Sequence, residues 1–267
     1  MNTNDNIRDV YTPLVKTFVE NVKKGGLKTQ GIPALNIPKV GASYDDYSYK
    51  IAFIGMETKG WGKLSKFIEL GSNSPEDAIT YKDQWFNEGK RYKHLKTTTF
   101  WGFIVSFLAK FYGYNKKQLI HKDGTYHQIL SSFVWGNCNS LERYCVTAKK
   151  NAADKKDWLK IKEFSLSFDN IIYILNATKP QLIFITYARF NKDKYFQNID
   201  WEKVNTNKEL HLRHYIIKRE QQTNVFVIPH PTWIVRSKCC GGYKKYINEL
   251  INYIKECNIW SDLPVDK

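Results

Sequence analysis

In KIAFIGMETKGWG, residues 50–62, an apolar run changes abruptly to a glycine-rich polar turn, and this change is the strongest indication of the fold. The run Ile51–Ile54 predicts a short strand that is buried on both faces. The glycines of the turn then let the backbone bend sharply. Glu57 follows the carboxyl end of this strand, where open parallel α/β sheets bind ligands. This position favours a chemical role for Glu57, and a solvated loop carboxylate is the plainer alternative.

The composition indicates a basic globular protein. The chain has 267 residues, of which 42% are hydrophobic, enough for a sizeable core. Lysine and arginine outnumber aspartate and glutamate by 41 to 26, which gives a net charge of +15. Because the excess is spread along the chain, we expect a polyanionic partner, with nucleic acid before an anionic membrane surface. A generally lysine-rich proteome would give the same charge.

The sequence carries no signal for a membrane or a metal. It has no run of about 18 apolar residues, and its first residues lack a signal-peptide pattern. We therefore expect a cytoplasmic protein with no membrane partner and no evident obligate protein partner. The five cysteines form neither a CxxC nor a paired zinc spacing, and we expect reduced thiols: Cys138, Cys145, Cys239, Cys240 and Cys257. Histidines without ligand spacing are predicted on the surface: His94, His121, His127, His211 and His214.

Further apolar runs and helical stripes complete the predicted elements. Three runs predict buried strands, at residues 131–135, 182–185 and 225–228. Stripes at helical spacing predict helices at residues 7–22, 100–112, 158–175 and 243–254. The charged stretch between residues 200 and 220 is predicted to have some helical character.

Strands that alternate with helical stripes imply right-handed crossovers and a parallel sheet. We predict a single three-layer α/β/α domain over residues 1–267 with a central four-stranded parallel sheet. Residues 1–47 would form an N-terminal helix and connection, and residues 48–257 the α/β core. No repeat or linker argues for a second domain.

Polar residues follow three of the four predicted strands. Glu57 follows the first strand, Asn137 the second, and His230 the fourth, within the run Pro229-His230-Pro231-Thr232. Because the carboxyl ends of parallel strands share one edge of a sheet, these side chains could meet in one crevice. Asn137 has a plainer explanation as a turn cap.

These motifs resemble the uracil-DNA glycosylase superfamily, with Gly55-Met56-Glu57 after the first strand, Asn137 after the second, and His230-Pro231-Thr232 after the last. The resemblance spans about residues 48–256. It implies an enzyme that flips a base out of DNA and cuts its N-glycosidic bond without a metal or cofactor. It also implies a uracil-DNA-glycosylase-like fold.

The resemblance implies a role for each motif residue. Glu57 would position a water and support the cationic sugar, and His230 would donate a hydrogen bond to the base oxygen that becomes negative. Asn137 would bind the polar edge of the base. Glycosidic cleavage creates an oxocarbenium-like sugar and an anionic base, so a carboxylate and a preorganised donor suit the two charges. An amide offers the donor and acceptor that a pyrimidine edge requires.

The remaining site residues flank these motifs. Gly55, Met56 and Trp61 are predicted to complete the base pocket, with core packing as the alternative for Trp61. Residues 233–236, WIVR, stand where the family has a loop that enters the minor groove. The predicted DNA contacts are Lys59, Thr232, Trp233, Arg236 and Lys238. Tyr187 and Arg189, after the third strand, would contact DNA or solvent.

The chain departs from the family pattern just after Glu57. Thr58, Lys59 and Gly60 stand where the family has a proline and often an aromatic residue that crowds the C5 side of the pyrimidine. Without that gate the pocket would accept a base larger than uracil, such as the hydroxymethylated or glucosylated cytosine of phage DNA. Such a substrate would connect the protein to antiviral defence. The cysteine spacing also differs from that of the iron–sulfur branch, so no cluster is expected.

Two other classes of function fit parts of the sequence. The same fold could serve a catalytically silent nucleic-acid-binding protein. A small-molecule hydrolase is disfavoured, because the chain has no G-x-S-x-G elbow and no Walker or dinucleotide fingerprint.

Overall fold

A mixed seven-stranded sheet forms the centre of the fold. The computed structural model describes residues 2–55, 62–83, 100–120, 126–141, 152–169, 171–186 and 190–259. The strands in chain order are β1 (Lys39–Val40), β2 (Ile51–Gly55), β3 (Phe133–Asn137), β4 (Leu182–Ile185), β5 (Trp201–Asn207), β6 (Leu212–Ile217) and β7 (Thr223–Val227). They lie side by side in the order β1-β3-β2-β4-β7-β6-β5.

The four predicted strands are the four neighbours β3, β2, β4 and β7, and they run parallel. All their residues are buried, as uninterrupted apolar runs predict. The prediction of a four-stranded, purely parallel sheet is nevertheless wrong in extent. Strands β1, β6 and β5 extend the sheet by antiparallel pairing, so the described fold is mixed α/β with seven strands.

Residues 201–217 contain the antiparallel hairpin of β5 and β6, so the helical character predicted there is wrong. Strand β5 lies at the edge of the sheet, and its residues 202–206 are exposed. It therefore lacks the apolar alternation that identifies a half-buried strand in a sequence. Its pairing with β6 also shifts register between Lys203 and Asn205.

The helices lie on both faces of this sheet. In chain order they are α1 (Thr3–Lys24), α2 (Leu64–Asn73), α3 (Pro75–Thr80), α4 (Phe100–Phe111), α5 (Lys116–Leu119), α6 (Lys155–Ser165), α7 (Ile172–Thr178), α8 (Lys192–Tyr195), α9 (Pro231–Ser237) and α10 (Tyr243–Glu256). No helix in the described ranges is both long and apolar enough to cross a membrane.

Two hydrophobic clusters lie between the sheet and its two layers of helices, one on each face. Ala52 and Ile54 of β2 face the first cluster, which packs against α1, α2, α3, α6 and α7. Ile51 and Phe53 face the second, which packs against α4, α9 and α10. This alternation follows from the two-residue period of a strand. Each face of the central strand is thus covered by helices, as the apolar run predicts.

The single long helix predicted over residues 158–175 is interrupted. Helix α6 ends at Ser165, a 3₁₀ turn follows at Leu166–Asp169, and α7 begins at Ile172. The side chain of Asp169 is buried beneath this turn rather than exposed on a helix surface. The interruption therefore lets a carboxylate enter the interior near the end of β3.

An aromatic cluster on the second face should carry much of the stability. The ring of Phe184 lies 4.5 Å from that of Phe107 and 5.3 Å from that of Phe53, centroid to centroid. We expect Phe184→Ala to lower the free energy of unfolding by about 3–5 kcal/mol, because it leaves a cavity. Leu166→Ala, at a side chain that is 46% exposed, should change it by about 0.5 kcal/mol or less. Urea denaturation measures both; equal effects would contradict this account of the core.

Candidate functional site

The strand order reverses between β2 and β4 at the carboxyl edge of the sheet. From β2 the chain crosses to β3 on one side, and it later returns to β4 on the other. Ligands of open α/β sheets bind at such a reversal of strand order. The segments that follow the two strands, residues 56–61 and 187–189, lie outside the described residues. The predictions for Met56, Glu57, Lys59, Trp61, Tyr187 and Arg189 therefore fall on residues that the structure does not describe.

Gly55 and Asn137 are brought together at this edge, as predicted. They are register partners at the ends of β2 and β3, and the N–H of Cys138 donates to the carbonyl of Gly55 at 2.9 Å. A Cβ atom built on Gly55 would lie 2.7 Å from Asn137 Oδ1. The absence of a side chain at Gly55 thus lets the Asn137 amide lie close to the backbone of β2. Asn137 is 8% exposed, so its side chain is largely shielded from solvent.

The loop after Asn137 is fixed by Asp169, which sequence reasoning missed. The Asp169 carboxylate accepts hydrogen bonds from the N–H and the hydroxyl of Ser140, at 2.7 and 2.8 Å. It also receives the amines of Lys162 at 3.1 Å and Lys194 at 2.9 Å. The Asp169 side chain is only 2% exposed, so these partners replace its hydration.

Lys194 extends the same network to the residue beside the site. Its amine donates to Asn139 Oδ1 at 3.2 Å, and the hydroxyl of Tyr195 donates to the same oxygen at 2.8 Å. Asn139 and Ser140 are thus both anchored to the turn and helix that carry Asp169 and Tyr195. The anchoring restricts the backbone that leads out of Asn137. An aspartate within an apolar helical stripe is the sequence signal that would have identified Asp169.

Cys138 lies inside this network as an inert thiol. Burial, together with the nearby Asp169 carboxylate, raises the pKa of Cys138 far above its usual value. A thiol in that condition is neither a nucleophile nor a metal ligand at neutral pH. The arrangement agrees with the expectation of a reduced, structural cysteine.

His230 stands at the same edge, beyond the end of β7. The N–H of Ile228 donates to the carbonyl of Ile185 at 2.9 Å, which continues the sheet to the residue before Pro229. His230 then caps α9, with Nδ1 accepting from the N–H of Thr232 at 3.2 Å. Since Nδ1 is the acceptor, the neutral imidazole carries its proton on Nε2. Burial lowers the pKa of His230 below 6.5, so the ring is neutral at pH 7.

Asn137 and His230 lie at the same edge of the sheet, but they do not follow adjacent strands. Strands β2 and β4 lie between β3 and β7. Three inter-strand spacings put the two backbones about 14 Å apart. Gly55 lies beside Asn137, and Thr186 follows β4 between the two ends.

The predicted DNA-contacting residues after His230 lie on and beyond α9. Trp233, Arg236 and Lys238 are exposed, and Thr232 is half-buried. Ile234, within the run 233–236 that was expected in a minor-groove loop, is instead fully buried, because this segment is a helix whose inner face joins the core. Trp233, 41% exposed, contacts the ring of His211 at 5.0 Å.

Among the other histidines, the predictions for His94 and His121 fall on residues that the structure does not describe, and His127 is half-buried. His211 is exposed, as predicted. His214 is 2% exposed, which contradicts its predicted surface position. Its Nε2 lies 3.0 Å from Asn224 Oδ1, and burial lowers its pKa below 6.5. The residue is hidden because it lies on the inner face of β6, a strand that the sequence analysis did not predict.

Comparisons with known proteins identify no relative: no family model, no curated protein and no solved structure matches the chain. In the described part of the chain, no group of three or more histidine, cysteine, aspartate or glutamate side chains could hold a metal ion.

Removing the Asp169 charge tests the loop network. Asp169→Asn leaves the Lys162 and Lys194 amines without their buried counter-charge, and we expect a loss of about 3 kcal/mol in the free energy of unfolding. The matched control is Asp193→Asn, which breaks an exposed ion pair with Lys192 and should cost less than about 1 kcal/mol. Denaturant titration of both variants gives the comparison; similar losses would show that the burial of Asp169 contributes nothing.

The buried histidines predict acid sensitivity. The folded-state pKa values of His214 and His230 lie below the unfolded value of 6.5, so the folded state binds fewer protons. The stability that these two neutral rings contribute is therefore fully present above pH 6.5 and is lost as the pH falls through their lowered pKa values. We expect His214→Gln to lose less unfolding free energy than the wild type between pH 7.5 and 5.5. His211→Gln, at an exposed ring, should follow the wild type; a parallel loss in all three proteins would contradict the assignment.

Proposed function

We propose that this protein is a DNA glycosylase, which flips a base out of DNA and hydrolyses its N-glycosidic bond to leave an abasic site. The observation that supports this most is that three residues lie at one edge of the sheet: Gly55, Asn137 with its buried amide, and His230, whose neutral imidazole caps α9. An extruded base requires such a combination of fixed hydrogen-bonding groups. No metal or cofactor is part of the proposal.

His230 would stabilise the departing base. When the bond between C1′ and the base nitrogen breaks, its electron pair goes to the base and develops charge on a base oxygen. A neutral imidazole that carries its proton on Nε2 can donate to that oxygen. Because Nδ1 is engaged by the helix cap, the donor does not have to reorient as the charge develops.

Glu57 would serve the sugar. By its resemblance position, the carboxylate stabilises the positive charge at C1′ and orients the water that adds there. The water oxygen bonds to C1′, and its proton leaves to the carboxylate and finally to the base anion. Atoms and charges balance without another reactant.

Asn137 would recognise the base. The Asn137 amide, which lies close to Gly55, has both donor and acceptor groups, as a pyrimidine edge requires. The Asp169 network supports the loop next to it. A rigid amide discriminates better than a mobile one, because a wrong edge leaves its groups unpaired.

The substrate class is a pyrimidine in DNA, either uracil or a bulky modified pyrimidine such as glucosylated hydroxymethylcytosine. The second is favoured by the run Thr58-Lys59-Gly60, which lacks the proline and aromatic residue of the family pattern. Excision of such bases would make the protein an antiviral defence enzyme. Exposed Arg236 and Lys238 and the net charge of +15 support DNA as the partner.

A glycosylase fold would use only part of the sheet. The parallel strands β3, β2, β4 and β7, with helices on both faces, agree with a three-layer uracil-DNA-glycosylase-like core. The antiparallel strands β1, β6 and β5 would be additions at its two sides. The proposed catalytic edge is made entirely by the parallel strands.

Release of free base tests the proposal directly. Duplexes that contain uracil, hydroxymethylcytosine or glucosylated hydroxymethylcytosine are incubated with wild type, His230→Ala and His127→Ala, and free base and abasic sites are quantified. His127 is a matched control, since its Nδ1 also accepts from the N–H two residues on at 3.2 Å. We expect His230→Ala to lose at least about 100-fold in rate and His127→Ala to retain the wild-type rate.

The alternative is separated by DNA binding in the same samples. Glu57→Gln should also abolish release while leaving DNA binding intact. If wild type releases no base from any duplex but still binds DNA, the glycosylase proposal fails and a catalytically silent nucleic-acid-binding protein takes its place. Activity confined to uracil would remove the modified-base part alone.

A further inference from the structure

A pocket opens beside the candidate site, between the hairpin and α9. Its volume is about 340 Å³, and six residues line it: His211, Arg213, Val227, Ile228, Pro229 and Trp233. Arg213 and Val227 are register partners on β6 and β7, so the pocket continues the carboxyl edge of the parallel sheet onto the antiparallel hairpin. The resemblance assigns Trp233 to DNA contact in general, but neither it nor the proposed reaction assigns a ligand to this pocket.

The walls of this pocket differ from its floor. Val227 and Ile228 are buried and form an apolar floor together with Pro229. Trp233 and His211 stand at the rim, with ring centroids 5.0 Å apart and planes at 79°. The backbone of His211 has a φ of 47°, in the left-handed region, which a β5–β6 turn imposes. Two aromatic rings from different elements therefore contact each other beside an apolar surface.

The chemistry of the lining selects the kind of ligand. Indole and imidazole faces bind flat heteroaromatic rings, and Arg213 supplies a cation that suits a phosphate. None of the six lining residues is acidic, so a cationic ligand would find no counter-charge. The volume fits one ring system rather than a peptide segment.

We propose that this pocket binds an unpaired nucleobase of the DNA strand, a neighbour of the base that is excised, with Arg213 on its phosphate. The role assigned to that neighbour rests on the proposed function, whereas the binding itself does not. Its floor residue Pro229 is followed directly by His230, so the two bases would occupy adjacent positions along the edge. The β5–β6 hairpin would contribute directly to this binding, because it supplies two of the six lining residues, His211 and Arg213.

Binding is measured with the full-length protein and a labelled single-stranded thymidine 10-mer by fluorescence anisotropy. Trp233→Ala should weaken binding about 10-fold through lost stacking, and Trp233→Phe should restore most of it. Arg213→Gln should weaken binding and reduce its salt dependence. Leu166→Ala and Arg8→Gln, exposed positions on other elements, are the matched controls and should bind as wild type.

A coupling experiment distinguishes a base in the pocket from general contact. Ten oligonucleotides each carry one abasic position, and each is titrated against wild type and Trp233→Ala. At one position, the abasic residue should weaken wild type about 10-fold and Trp233→Ala no further. Equal losses in both proteins at every position would overturn the inference, since Trp233 would then contact no base.

Free nucleotide and DNA are separated in the same assay. Thymidine 5′-monophosphate is added as competitor; displacement of the 10-mer only at high millimolar concentration supports a site for bases within a strand. Tight binding of the mononucleotide without binding of the 10-mer would overturn that assignment. Base release from duplex is scored separately: coupling without release supports the pocket and refutes the glycosylase, and release without coupling does the reverse.

Discussion

Strand β2 pairs with β3 on one side and with β4 on the other, and most of the fold follows from these two pairings. The five residues of β2 are buried, and both of its edges are hydrogen-bonded. Because a parallel strand must be left by a crossover, each connection places a helical layer on a face of the sheet. The same pairings align the ends of β2, β3 and β4, so they form the core and also position the edge that carries the candidate site.

A second constraint acts on the loop after β3. The buried carboxylate of Asp169 has two lysine amines and a backbone N–H as partners. Its burial is energetically tolerable only while all of these partners remain in place. Asp169 thereby converts a flexible exit from a strand into a fixed one. The candidate site thus depends on a residue of a different element.

Local pattern predicted the central strands well. The run Ile51–Ile54 and the run at residues 182–185 coincide with β2 and β4, because fully buried strands are uninterrupted apolar runs. Gly55, Asn137 and His230 were likewise predictable at the sheet edge, since parallel topology fixes where strands end. The hairpin was not, because the exposed residues of β5 carry no apolar alternation. His214, Asp169 and the pocket of His211 and Trp233 depend on pairing and contacts between distant residues, which one sequence does not display.

The two sides of the sheet also bear on how the molecule behaves at high concentration. Strand β1 has only two residues, and β5 carries Glu202 and Lys203 beside its register shift. Short edge strands, charges and bulges each discourage the addition of a further strand. These features of β1 and β5 thus disfavour the joining of this sheet to the sheet of another copy at either open side.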